Sequence, residues 1–152
     1  MNDKILNPYS LFAPSKYWDM LTEDNPELKK ICNGVGSETS WTYHFIPNTI
    51  YGLSIIPVSD KHDFMYTYPK AFPAMVDDEY FKTGLDYKNH ADRVFLNNCI
   101  RLFEYHEKLS GFTGWMHRRL AGVRRARAYE YFEILQKFGG TSFWEDKDQS
   151  KI

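Results

Sequence analysis

The chain has 152 residues, of which 43% are hydrophobic and 17% aromatic, enough apolar mass for one compact domain and too much for a disordered chain. A formal net charge of −1 and a pI near 6.5 argue against a surface built throughout to hold nucleic acid or acidic membrane, although a local basic patch is compatible with both. The two cysteines, Cys32 and Cys99, lie far apart, which argues against a disulfide framework and against a cysteine-based zinc site.

Residues 1–15 carry Pro8 and Pro14 and predict an irregular arm, with no apolar run of signal-peptide or membrane-spanning length there or elsewhere. The expectation is a soluble, cytoplasmic chain without an export signal or a transmembrane segment, folded as a single domain over 1–152 with a frayed tail at 145–152. Ser15 is placed to cap a short helix through Tyr17, Trp18 and Leu21, and a second short helix can start at Pro26 and stop at Asn33-Gly34. From Gly34 to Ile56 the chain shows no sustained period and reads as loop, with at most a short strand pair near Trp41 to Phe45.

Pro57 suits the first turn of a helix, which the sequence carries to about Tyr68, where Pro69 and Pro73 stop it. Lys70 to Leu85 reads as a connection. At Asp86 a long helical pattern begins, with apolar residues at Ala91, Val94, Phe95, Cys99, Ile100 and Leu102, about six turns in all. Gly111 to Gly114 reads as a turn before a last helix from Trp115 to Phe138, with Leu120, Val123, Tyr131, Ile134, Leu135 and Phe138 on one face and Gly139-Gly140 as its end. The predicted fold class is therefore all-α: two long antiparallel helices, a shorter helix laid against them and an irregular N-terminal region.

Within IPVSDKHDFMYTY, His62 and Tyr66 are four apart and share a helix face, while Asp63 points about 100° away. Asp92, in NHADRVF, falls on the edge of the apolar face of the long helix, where an unpaired carboxylate would cost several kcal/mol. His62 and Tyr66 are suitable donors for it, and such a bond would leave the second imidazole nitrogen as a general base. The alternative for His62, Asp63, Tyr66 and Asp92 together is a polar network that only pins two helices. Asp63 is then available to a hard cation such as Ca²⁺, with the glycine-containing CNGVGSETS stretch from Cys32 as a source of carbonyl oxygens, or with those glycines serving as a helix cap and turn.

The order CNGVG, FIPNTIYG, HDFMY and then ADRVF resembles the secreted phospholipase A2 superfamily, particularly its divergent bacterial and fungal-type branches. It is also similar to small bacterial and phage-encoded proteins carrying HDxxY followed by ADRxF. The resemblance implies a catalytic set of His62 as the base that activates water, Asp92 as its orienting partner and Tyr66 bonded to Asp92. It further implies Ca²⁺ as cofactor, held by Asp63 and the carbonyls of Cys32, Gly34 and Gly36, and hydrolysis of a lipid ester. Asn33 and Val35 depart from the CGxG loop of that family, and Ser59 and Met65 stand where its cysteines usually lie.

The terminal helix carries HRRLAGVRRARAY. One reading is a solvated face balanced by acidic residues elsewhere; the other is a phosphate-facing patch of Arg118, Arg119, Arg124, Arg125 and Arg127 for phospholipid or another phosphate-bearing partner, nucleic acid being disfavoured by the overall charge. A non-catalytic interaction or phage-associated protein using that helix is the alternative to the hydrolase.

Overall fold

The computed structural model describes residues 6–32, 47–71 and 84–145. They are mainly helical, as the apolar periodicity predicts. Helix α1 spans Ser15–Thr22 and α2 spans Pro26–Ile31; a two-stranded antiparallel ribbon joins β1 (Thr49–Ile50) to β2 (Leu53–Ser54). Helix α3 (Ile56–Thr67), a 3₁₀ turn at Pro69–Ala71, α4 (Gly84–Glu107), α5 (Gly111–Arg119) and α6 (Ala121–Glu145) complete the order. No helix among the described residues is long and apolar enough to cross a membrane.

Helix α4 is the axis of the fold. Its later residues Phe95, Leu96, Cys99, Leu102 and Phe103 share a core with Ile55 and Val58 of the start of α3 and with Ala128, Tyr131 and Leu135 of α6. Its earlier residues Ala91 and Val94 meet Met65 and Tyr66 near the end of α3 and Phe143 near the end of α6. Both neighbours therefore run antiparallel to α4, the arrangement expected of the two long helices with the shorter one laid against them. The arm before α1 is tied down by Asn98 of α4, whose amide accepts from the Phe12 N–H at 2.7 Å and donates to the Phe12 carbonyl at 2.8 Å. Leu11 is thereby seated in the main core.

Several boundaries differ from the sequence reading, each for a local reason. Pro14 occupies the cap of α1 and Ser15 is the first helical residue, with no side-chain cap bond. Asn25 does cap α2, accepting from the Glu27 N–H, and the helix ends at Ile31 with Cys32 beyond it. A strand pair lies at 49–54, inside the stretch read as loop, turned by Tyr51 and Gly52 at φ 44° and 76°; Trp41 to Phe45 lie outside the described residues.

The supposed turn at Gly111 to Gly114 is helical, and the supposed single last helix is broken at Leu120 into α5 and α6. Gly139-Gly140 does not end α6, which continues to Glu145. A Cβ at Gly139 would sit 2.7 Å from the Tyr66 hydroxyl and 3.6 Å from Lys88 Cε, so the residue is glycine because α6 crosses α3 and α4 closely there, a role that periodicity cannot distinguish from a stop. Val123 and Phe138, read as core, are 45% and 44% exposed, whereas Tyr131 and Leu135 are buried.

Candidate functional site

The antiparallel packing of α3 on α4 sets His62 and Tyr66 over Asp92. His62 Nε2 lies 2.8 Å from Asp92 Oδ1, and the Tyr66 hydroxyl donates to the same oxygen at 2.5 Å. The His62 and Tyr66 rings touch, with centroids 4.1 Å apart, and Phe95 meets His62 edge-on at 5.3 Å. All three polar residues are buried, Asp92 completely.

The other carboxylate oxygen is held by two residues that sequence reasoning missed. Lys88 Nζ donates to Asp92 Oδ2 at 2.7 Å and to the Leu135 carbonyl of α6 at 2.9 Å, and Gln136 Nε2 donates to Oδ2 at 2.7 Å. Asp92 thus accepts from four donors on three helices. Burial alone would raise its pKa, but the bonds and charge contributed by His62 and Lys88 prevail and hold the carboxyl below the usual value of 3.8. An ionised Asp92 can only accept, so Nε2 of His62 is the donor in this contact, and in a neutral imidazole that tautomer leaves the lone pair on Nδ1. Burial and then the Asp92 charge push the Tyr66 phenol well above its ordinary value, so Tyr66 keeps its proton and donates it to Asp92.

Lys88 was legible in principle. It stands four residues before Asp92, the spacing of a helical ion pair, and its 2% exposure reflects that it turns inward with its partner. Gln136 has no such local signal, because its register depends on how α6 packs.

Asp63, the residue after His62 on α3, is half-buried. Cys32, just past α2, donates its thiol to the Asp60 carbonyl at 3.3 Å. Burial, then the Asp60 and Asp63 charges, push that thiol up to about 12, so Cys32 and Asp63 share one neighbourhood. Lys61 lies there too, buried, donating to the Pro57 carbonyl at 3.0 Å and 4.8 Å from the Tyr17 ring centroid; burial brings its ammonium down to about 8, with Asp60 and Cys32 opposing.

The fit to Ca²⁺ is partial. Among the described residues no group of three or more His, Cys, Asp or Glu side chains converges, and Gly34 and Gly36, which the phospholipase resemblance makes carbonyl ligands, lie outside those residues.

The five arginines do not form one patch. Arg124 is only 2% exposed, donating from Nη1 to His117 Nδ1 at 2.6 Å and from Nη2 to the Tyr51 carbonyl at 2.9 Å, so it is a core residue of the α5–α6 corner. Arg118 donates to the Glu107 and Leu109 carbonyls at 2.8 and 3.2 Å and closes the end of α4. Arg125 pairs with Glu107 at 3.0 Å and Arg127 with Glu130 at 2.9 Å. Arg119 is exposed and lies over the Trp115 ring, 5.6 Å from its centroid. Sequence alone could not tell that position 124 faces inward, because the helix break at Leu120 rotates everything after it.

Comparison with protein-family models, with curated proteins and with solved structures finds no match, so the phospholipase resemblance stands on the residues just described.

Proposed function

We propose that the protein is a phospholipase A2-like ester hydrolase in which His62 acts as general base. The observation that carries this reading is the 2.8 Å contact between His62 Nε2 and Asp92 Oδ1, made across two antiparallel helices with the Tyr66 hydroxyl on the same oxygen. Asp92 orients the ring and favours the tautomer in which Nδ1 can take a proton from water; Tyr66 and Gln136 hold the carboxylate in place. In this reading Asp63, with the carbonyls of Cys32, Gly34 and Gly36, would hold Ca²⁺, which when bound supplies electrostatic stabilisation to a developing oxyanion.

A second reading is favoured by Lys88. Its ammonium, 2.7 Å from Asp92, already neutralises the carboxylate that would stabilise an imidazolium at His62. That suits a scaffold in which the cluster pins α3, α4 and α6 together and no turnover occurs, as in the interaction or phage-associated alternative.

The two readings part on one assay: hydrolysis of a short-chain phospholipid, with Ca²⁺ and with a chelator, by the wild type and by His62→Gln. A hydrolase loses about 10²- to 10⁴-fold in rate on loss of the base. Absence of turnover under both conditions, with the fold intact by circular dichroism, removes the first reading and leaves the second.

A further inference from the structure

We propose that α5 docks the protein onto an anionic lipid surface, through a ridge formed by Phe112, Trp115, Met116 and Arg119. This goes beyond the hydrolase reading and does not rest on it. From Asp92 to Glu107 is fifteen residues of α4, roughly 22 Å at 1.5 Å per residue, so α5 begins about that far along α4 from the His62–Asp92 contact.

The helix is amphipathic in the wrong sense for a helix that serves only its own fold. Positions 112, 115, 116 and 119 recur at the spacing of one helix face, yet Phe112 is 74%, Trp115 50% and Met116 39% exposed. The opposite face, with Gly114 and His117, is the buried one. A Cβ at Gly114 would overlap the Leu109 carbonyl oxygen, so α5 sits tightly against the end of α4, and His117 is held by the buried Arg124. The apolar ridge therefore belongs to a seated helix. Three of its members are also in contact: the Phe112 and Trp115 rings stack at 5.5 Å with an interplanar angle of 28°, and Arg119 covers the Trp115 ring.

Charge selects the occupant. From Lys108 to Tyr129 the chain has six Lys or Arg and no Asp or Glu; Arg124 is buried, Arg125 and Arg127 are paired with Glu107 and Glu130 at the edges of the run, and Lys108, Arg118 and Arg119 are exposed on α5 or just before it. A second copy meeting this patch across a two-fold axis would bring like charges together with no carboxylate of the run between them. Nucleic acid would match the charge, but it would leave Met116 and most of Phe112 without an apolar medium to enter. A bilayer interface satisfies both: aromatic and thioether groups enter the headgroup boundary, and lysine and arginine meet the phosphates.

The test is co-flotation of the full chain with vesicles of phosphatidylcholine alone or mixed equally with phosphatidylglycerol. Wild type is expected to float with the anionic vesicles and to be released by added salt. Phe112→Ser with Trp115→Ser, and separately Arg119→Glu, are each expected to weaken partitioning about five-fold or more, since one interfacial cation contributes about that factor. Both sites are exposed, so melting temperatures should stay put; Arg118 is spared because it closes α4. The proposal fails if wild type does not float, or if the Phe112/Trp115 variant floats equally well. It also fails if an added DNA duplex strips wild type from the vesicles at lower concentration than salt requires, or if wild type dimerises in solution and the Phe112/Trp115 variant does not.

Discussion

Lys88 and Arg124 are each 2% exposed, and the protein houses them in different ways. Lys88 meets a carboxylate that three other donors also hold, so its neighbourhood is charge-balanced and every oxygen of Asp92 is used. Arg124 is given a neutral imidazole nitrogen and a backbone carbonyl; its Nε has no partner among the described residues, and the nearby Glu107 spends one oxygen on Arg125. One buried cation is locked by its counter-ion and ties three helices together. The other is accommodated by neutral acceptors at a corner, where less of the molecule depends on it.

The largest effect should follow from removing the anion. Asp92→Asn leaves Lys88 buried without a counter-charge and is expected to cost about 3–5 kcal/mol, visible as a much lower urea midpoint. Adding Lys88→Met should restore most of that loss, since replacing a buried pair with apolar atoms is often neutral. If the double variant is no more stable than the single, Lys88 and Asp92 are not an energetic unit.

Next comes the crossing that brings α6 onto the cluster. Gly139→Ala places a methyl 2.7 Å from the Tyr66 hydroxyl and should cost about 1–3 kcal/mol, despite the better helix propensity of alanine. Tyr66→Phe removes the oxygen that is struck, so the alanine should be less harmful in that background. Equal costs in both backgrounds would mean that α6 shifts as a whole to accept the methyl.

These two regions also differ in how far they could be read from the chain. The His62–Asp92–Tyr66 set was legible because Asp92 sits on a long helix whose apolar residues recur at helical spacing, while His62 and Tyr66 lie four apart on a shorter helix that prolines delimit, so that they share a face. Lys88 lay within reach of the same reasoning, but lysine is ordinarily a surface residue and its inward turn follows from its partner. Around Arg124 that reasoning failed, because α5 and α6 are separate helices joined at Leu120 and a single unbroken period was carried across the joint. Gly139 was missed for a different reason: a glycine that stops a helix and one that admits a neighbour look identical in sequence. The carbonyl ligands implied at Gly34 and Gly36 fall outside the described residues, and the half-buried Asp63 is the described side chain through which that expectation enters the fold.

Replacing the second cation should matter less than breaking the first pair. Arg124→Met removes two hydrogen bonds, leaving the Tyr51 carbonyl and His117 Nδ1 without their donor, but it also removes a buried charge with an unpartnered N–H. The net loss is expected to be about 1–2 kcal/mol, below that of Asp92→Asn. A loss as large as that of Asp92→Asn would mean that Glu107 neutralises Arg124 as firmly as Asp92 neutralises Lys88.

The smallest effect separates the two regions by pH. Burial, then Arg124 and His106, hold the His117 imidazole below 6.5, with Glu107 opposing; His90 is lowered by burial and by Arg93. For a base whose folded pKa lies below its unfolded one, the unfolded chain binds more protons, so stability falls as pH drops below about 6.5. Asp92 behaves otherwise. Its folded pKa is depressed below 3.8, so its contribution is complete above that value and is lost only as pH falls further, through the folded pKa. Urea unfolding over a pH series should therefore show a shallow decline from neutral pH, carried partly by the Arg124 corner, and a steeper one in strong acid, carried by Asp92. His117→Gln should flatten the first and spare the second; Asp92→Asn should remove the second and spare the first. If His117→Gln leaves the first slope unchanged, that slope is carried by other groups, His90 among them, and the Arg124 corner is less sensitive to protons than its neutral acceptors imply.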